Sequence, residues 1–171
     1  MTKKVKNLTL TELKKQDKKL DAQTETFIPI NGDMYRVLID DYFRPTKQTD
    51  LLNDLISFFE GARNSNELME VATPYTSLLL IKHFTNIDVP DDFEEAITLL
   101  ELLIDLKAFE AILNAMPEDQ VVDTYDKLRV VLNEMTNRME IAQVEAELIE
   151  SQLENEVVKK MYYDGETEDT K

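Results

Sequence analysis

Between Glu118 and Met161 the chain has neither proline nor glycine, and apolar or small residues recur at steps of three and four. The series runs Tyr125, Leu128, Leu132, Met135, Met139, Ala142, Ala146, Ile149 and Leu153, four heptads of a and d positions before Glu156 and Lys160 break the register. This spacing predicts a helix of about 40 residues, ~60 Å long at 1.5 Å per residue. A domain of about 120 residues has a radius of gyration near 14 Å. Part of such a helix is therefore expected to run past its own core and to seek a partner.

Residues 121–139 are expected to pack on the chain's own bundle, and 140–157 on another helix. That second helix belongs either to another copy of the chain or to a different protein. The candidate partner-binding residues are Met135, Met139, Ala142, Ala146, Ile149 and Leu153. Methionine is flexible and adapts to varied surfaces, and alanine lets another helix approach closely.

Upstream, one β signal stands out. Gln23 to Ile30 and Asp33 to Ile39 flank Asn31-Gly32, the preferred pair for a two-residue hairpin turn that needs φ > 0 at both positions. Pro29 has no N–H for a ladder, which predicts an edge strand. A lone hairpin is marginal in water, so it is expected to pack on the helices. Before it, Thr9-x-x-Glu12 predicts a capping box for a short helix through about Leu20.

After it, helix follows helix. Thr46 or Thr49 is the expected cap of a helix with a Leu51, Leu52, Leu55, Ile56, Phe59 stripe, ending near Gly61. A short helix is expected from Asn66 to Ala72. Thr73-Pro74 then reads as cap and first helical position, and Asp88 to Asp92 as a break and restart. The next helix, carrying Ile97, Leu99, Leu100, Leu102, Leu103, Ile104 and Leu106, is apolar nearly all round. Such a helix is expected at the centre of a bundle and to end at Pro117. Four regions result: a basic segment 1–22, a hairpin with a helical core 23–117, a long helix 118–162 that partly projects, and a disordered acidic tail 163–171.

Composition removes whole classes of function. The chain has 171 residues and no cysteine, so disulfides, thiolate metal sites and a cysteine nucleophile are excluded. Its three glycines are scattered and cannot build a phosphate-cradling loop. A net charge of −16 argues against direct nucleic-acid binding, where Lys and Arg must displace counterions. The basic start lacks the apolar stretch of about 7–15 residues that a signal peptide needs. The most apolar segment, Ala96 to Met116, is interrupted by Glu101, Asp105, Lys107 and Glu110. No membrane span is expected, and a soluble, cytoplasmic protein is.

No catalytic constellation emerges. His83 is the sole histidine, and Ser77, the nearest serine on its helix, faces about 120° away at 100° per residue. A structural role for His83 is expected. Asp88, Asp91, Asp92, Glu94 and Glu95 lack the glycine and glutamate spacing of a calcium loop, and capping and solvation explain them better. No cofactor or metal is expected. Asp88 to Asp126 holds twelve acidic residues against Lys107 alone, which reads as a solvated face or, more sharply, as mimicry of nucleic-acid phosphates. Residues 1–20, by contrast, carry seven Lys against Glu12 and Asp17. That polarity allows a head-to-tail homo-oligomer.

The layout resembles the tail assembly chaperones of long-tailed phages and prophages of Gram-positive bacteria. The resemblance lies in the Lys-rich start running into Leu8-Thr-Leu-Thr-Glu-Leu13 and in the hairpin ending Tyr35-Arg-Val-Leu-Ile-Asp40. Phe43-Arg-Pro-Thr46 then leads into acidic helices. It covers about the first 120 residues, and the extended C-terminal helix departs from it. It implies a small, non-enzymatic, mostly helical protein of the host cytoplasm. Such a protein binds the helical tape-measure protein and keeps it soluble until the tail tube polymerises round it.

The expected fold is therefore mainly α: a helical bundle with a small N-terminal β-hairpin and a long C-terminal helix. The expected function is a chaperone for a helical structural partner. The alternatives are an acidic, nucleic-acid-mimicking inhibitor of a DNA-binding protein and a generic helical scaffold or adaptor.

Overall fold

Thr9 caps the first helix, its side-chain oxygen accepting from the Glu12 N–H at 3.3 Å, but the expected capping box is half made, since the Glu12 carboxylate accepts from Gln16 Nε2 at 2.9 Å. The computed structural model describes residues 5–62 and 65–164. Among them are seven α-helices and one two-stranded sheet. Helix α1, Leu10–Asp17, continues into a 3-10 turn, Lys18–Asp21. Arg44 ties both down, donating to Asp17 Oδ1 at 2.6 Å and Asp21 Oδ1 at 2.5 Å.

Strands β1, Gln23–Ile30, and β2, Asp33–Asp40, pair antiparallel with Ile30 opposite Asp33 and Gln23 opposite Asp40. Asn31 (φ 52°) and Gly32 (φ 93°) make the turn, both with the positive φ that the pair was expected to supply. The hairpin packs on helices as expected. Ile28, Val37 and Ile39 are buried, and the Asn86 N–H donates to Leu38 O at 3.1 Å. Asp40, 7 % exposed, is paired with Lys47 at 2.5 Å and accepts from Gln23 at 2.8 Å, so its burial is compensated.

The helices that follow are α2 (Pro45–Ala62), α3 (Asn66–Glu70), α4 (Ala72–Phe84), α5 (Phe93–Asp105), α6 (Ala108–Ala115) and α7 (Glu118–Asp164). Two expected starts are corrected. Helix α2 begins at Pro45, not behind a threonine cap: the Gln48 N–H already donates to Arg44 O at 3.0 Å, and the Thr49 hydroxyl turns back to Pro45 O. Proline suits that first position because its φ is preset and its missing N–H would have no helical partner. Helix α4 likewise starts before Thr73-Pro74. The Tyr75 N–H bonds Val71 O at 2.9 Å, and Pro74 sits among first-turn amides that need no intrahelical acceptor.

The larger correction concerns the centre of the bundle. The continuous apolar helix expected up to Pro117 is two helices, broken at Lys107, which takes φ +58°. The break turns Ala108 and Ile112 inward, both buried, where α6 meets β1. Helix α5 is not central. It buries only Ala96 and Leu100, while Leu102 is 52 % and Ile104 48 % exposed. The centre is α4, in which Tyr75 through Ile81 and Phe84 are all buried. It meets α2, which buries Leu51, Leu55, Phe58 and Ala62; Leu51 and Leu55 belong to the expected stripe, whereas Leu52, Ile56 and Phe59 are half-buried. Phe84 stacks on Phe43 with ring centroids 3.8 Å apart.

The contacts divide the chain into a compact unit ending at Thr124 and a second unit beginning at Tyr125. Within the first, Gln120 on the opening turn of α7 receives the Phe43 N–H at 2.5 Å and donates to Asp41 O. Thr124, 1 % exposed, accepts from Gln48 at 3.0 Å. The second unit is a single helical stretch to Asp164, close to the expected end at residue 162. The acidic tail expected from residue 163 lies outside the described residues after Asp164.

Candidate partner-binding surface

Successive residues on a helix are rotated by about 100°, so Met135, Met139, Ala142, Ala146, Ile149 and Leu153 fall within about 80° of one another. All six are on α7, and the backbone therefore puts the expected seam on one face. Met135 is half-buried, Ala142 and Ala146 are exposed, and Ile149 is 58 % exposed. The side chains of Met139 and Leu153 lie outside the described ones. Earlier on the helix Leu128 is buried, whereas every described side chain over 137–151 is exposed.

The seam is wider than a single a/d register suggests. Ile141, Val144 and Leu148 are exposed at 58, 57 and 55 % on the flank next to Ala142 and Ile149. Following one series of threes and fours passes over them, although they form a second such series three and four residues apart. Together with Ala142, Ala146 and Ile149 they make an apolar arc of about 200°. A helix packed on a core on one side needs only somewhat more than ~100°.

Away from α7, α5 and its C-cap residue expose Leu102, Ile104 and Leu106, so the first unit also has apolar surface. All twelve acidic residues between Asp88 and Asp126 are exposed and interleaved with these side chains. Asp92 caps α5, accepting from the Glu95 N–H at 3.0 Å, as read for this one member of the cluster, while Asp91 pairs with Lys82.

A cleft of about 550 Å³ opens between α2 and α4, floored by Phe58, Tyr75 and Phe93 with ring centroids 4.6 to 5.5 Å apart. Its polar wall is a network that sequence spacing did not reveal. Asp54 Oδ2 accepts from Lys82 Nζ at 2.8 Å and from His83 Nε2 at 2.9 Å, and Lys82 also reaches Asp91 at 2.7 Å. An ionised carboxylate only accepts, so the His83 Nε2 carries the proton in this contact.

Burial works against the Asp54 charge, but the hydrogen bonds from Lys82 and His83 outweigh it and hold the carboxyl below its usual range. Burial likewise opposes the Lys82 charge, and Asp54 and Asp91 outweigh it and push that group upward. Burial pushes the Tyr75 hydroxyl up. The Ser77 hydroxyl is spent on Thr73 O at 3.4 Å. His83 thus packs against an aspartate across two helices.

Among the described residues, no three His, Asp or Glu side chains converge as a metal ligand set. No helix among them is long and apolar enough to cross a membrane.

Comparison with known proteins adds kinship. The SPbeta prophage-derived protein YomO of Bacillus subtilis (strain 168) is 25 % identical over 135 residues, covering 77 % of each chain. No solved structure matches. The YomO family model matches residues 10–162, from the capped α1 to near the end of α7, and the chain belongs to that family.

Proposed function

We propose that the chain is a non-enzymatic assembly chaperone that captures helical segments of a phage structural protein in the host cytoplasm, with the tail tape-measure protein as its client. The observation that carries this reading is the apolar arc on α7, exposed along 141–149 in a chain of net charge −16. A holdase for an apolar helix needs such a docking surface for capture and high charge for colloidal stability. Kinship with a prophage-derived protein supports the phage setting.

The test is co-expression with the helical proteins encoded beside this chain, followed by pull-down. Recovery of a long Ala/Leu-rich helical protein is expected. Leu148→Asp with Ile149→Asp should abolish recovery while leaving the far-ultraviolet helical signal intact. The twelve exposed carboxylates over Asp88 to Asp126 favour a second reading, inhibition of a DNA-binding protein by mimicry. Recovery of such a protein, released by competing DNA, would replace the first reading with the second.

A further inference from the structure

One charged residue lies in the middle of the apolar arc on α7. Placing Ile141 at 0° and advancing 100° per residue, the arc runs Val144, Leu148, Ile141, then Ala142 and Ala146, with Ile149 between. Glu145 falls at its midpoint, flanked by Ile141 and Ile149 one turn before and after it. Any helix that covers this face covers Glu145 as well. The stretch 141–149 contains no Lys or Arg, so no cation within a helical turn on either side can neutralise it. A carboxylate taken out of water without a partner is strongly destabilising, and one facing a cation is not.

The surroundings repeat the same sign. Between Arg138 and Lys159 there are six Glu and no basic residue. Two copies of this segment laid along each other over that stretch would set twelve Glu against no Lys or Arg and bury two unpaired Glu145 carboxylates. Self-pairing through this face is therefore opposed in the parallel orientation and in an antiparallel one centred on Glu145.

We infer that the partner of this face is a basic amphipathic helix that carries Lys or Arg within its apolar stripe opposite Glu145, and not a second copy of the chain. This rests on the reading of α7 as a helix-capturing surface and adds the chemistry of what it captures. Glu145 then acts as a selectivity filter, admitting apolar helices with a cation at the matching position and rejecting those without one.

Two synthetic peptides of about three heptads test it. Both have the same Leu/Ala stripe; one carries Lys within the stripe and at its flanks, the other Glu. Binding to the full chain is read by fluorescence anisotropy at low and high salt. The Lys peptide should bind at least about tenfold more tightly, with the advantage shrinking as salt rises. Glu145→Lys should reverse the preference, and Glu145→Leu should abolish it and promote self-association. Equal binding of both peptides, or an unchanged preference in Glu145→Lys, overturns the charge filter and leaves helix capture standing. A dimer of the wild-type chain that Ile149→Asp dissolves also overturns it. If neither peptide binds while the chain keeps its helical signal, helix capture itself fails, and the filter with it.

Discussion

Leu79 on α4 and Leu102 on α5 are the same residue in the same kind of element, yet their truncation should have very different effects. Leu79 is 1 % exposed and belongs to a helix buried along most of its length; Leu102 is 52 % exposed. Leu79→Ala removes three buried carbons and leaves a cavity that close-packed neighbours fill only in part, a loss of about 3–5 kcal/mol. At Leu102 about half of the side chain is already in water, and alanine is the better helix former. The net loss there should stay below about 1 kcal/mol.

For a chain of this size each kcal/mol lowers Tm by about 2–4 °C. Leu79→Ala should therefore melt about 6–20 °C below the parent and Leu102→Ala within about 4 °C of it. Urea titration followed by circular dichroism measures both, and the midpoints should separate without a change in the denaturant slope. Equal losses, or a larger loss at Leu102, would refute the placement of α4 at the centre and return α5 to the position that its apolar sequence suggests.

Gly32→Ala should cost about 1–2 kcal/mol by the same titration, because φ +93° strains any side-chain-bearing residue even though nothing lies within 4 Å of the added carbon. Gln120→Ala strands the Phe43 N–H and the Asp41 carbonyl and should cost about 1–3 kcal/mol, with faster amide exchange at Phe43 as its local signature. The Asp54 carboxyl is held below its usual range when folded, so its contribution is present above the unfolded pKa and lost as pH falls through the folded one. Lys82 is raised when folded, so its contribution is present below its unfolded pKa and lost as pH rises through the folded one. Asp54→Asn should therefore lower stability at neutral pH, where that contribution is present, and converge with the parent as pH falls below about 4, so that urea titrations across pH give a flatter acid limb.

Local chemistry was legible wherever a few adjacent residues decide the backbone. Thr9 with Glu12, Asn31 with Gly32, and Asp92 with Glu95 each satisfy or permit a backbone conformation within four residues, and each makes the cap or turn that its sequence predicts. The long helix followed from the absence of breakers and a sustained period. The sequence places the helix starts near proline at least two residues late, because a threonine reads as the cap where the helix has already begun, at Pro45 and at Ala72. The Asp54, Lys82 and His83 network was not legible at all, since its members are 28 and 29 residues apart in sequence and meet only when α2 and α4 pack.

The sequence by itself determined the class of the protein. It specified an acidic, cysteine-free, mainly helical chain with one hairpin and an apolar seam on a long last helix, because composition, turn chemistry and period are properties of neighbouring residues. The tertiary structure alone decided which apolar helix is interior. Leu-rich α5 and Leu-rich α4 look alike in hydrophobicity, and only the left-handed turn at Lys107 and the docking of α6 on β1 leave α4 enclosed and α5 half in water. It also decided that Ile141, Val144, Leu148 and Ile149 on α7 are all exposed, whereas the place of Glu145 among them already follows from the helical period. Burial depends on what lies opposite in space, and no stretch of neighbouring residues encodes that.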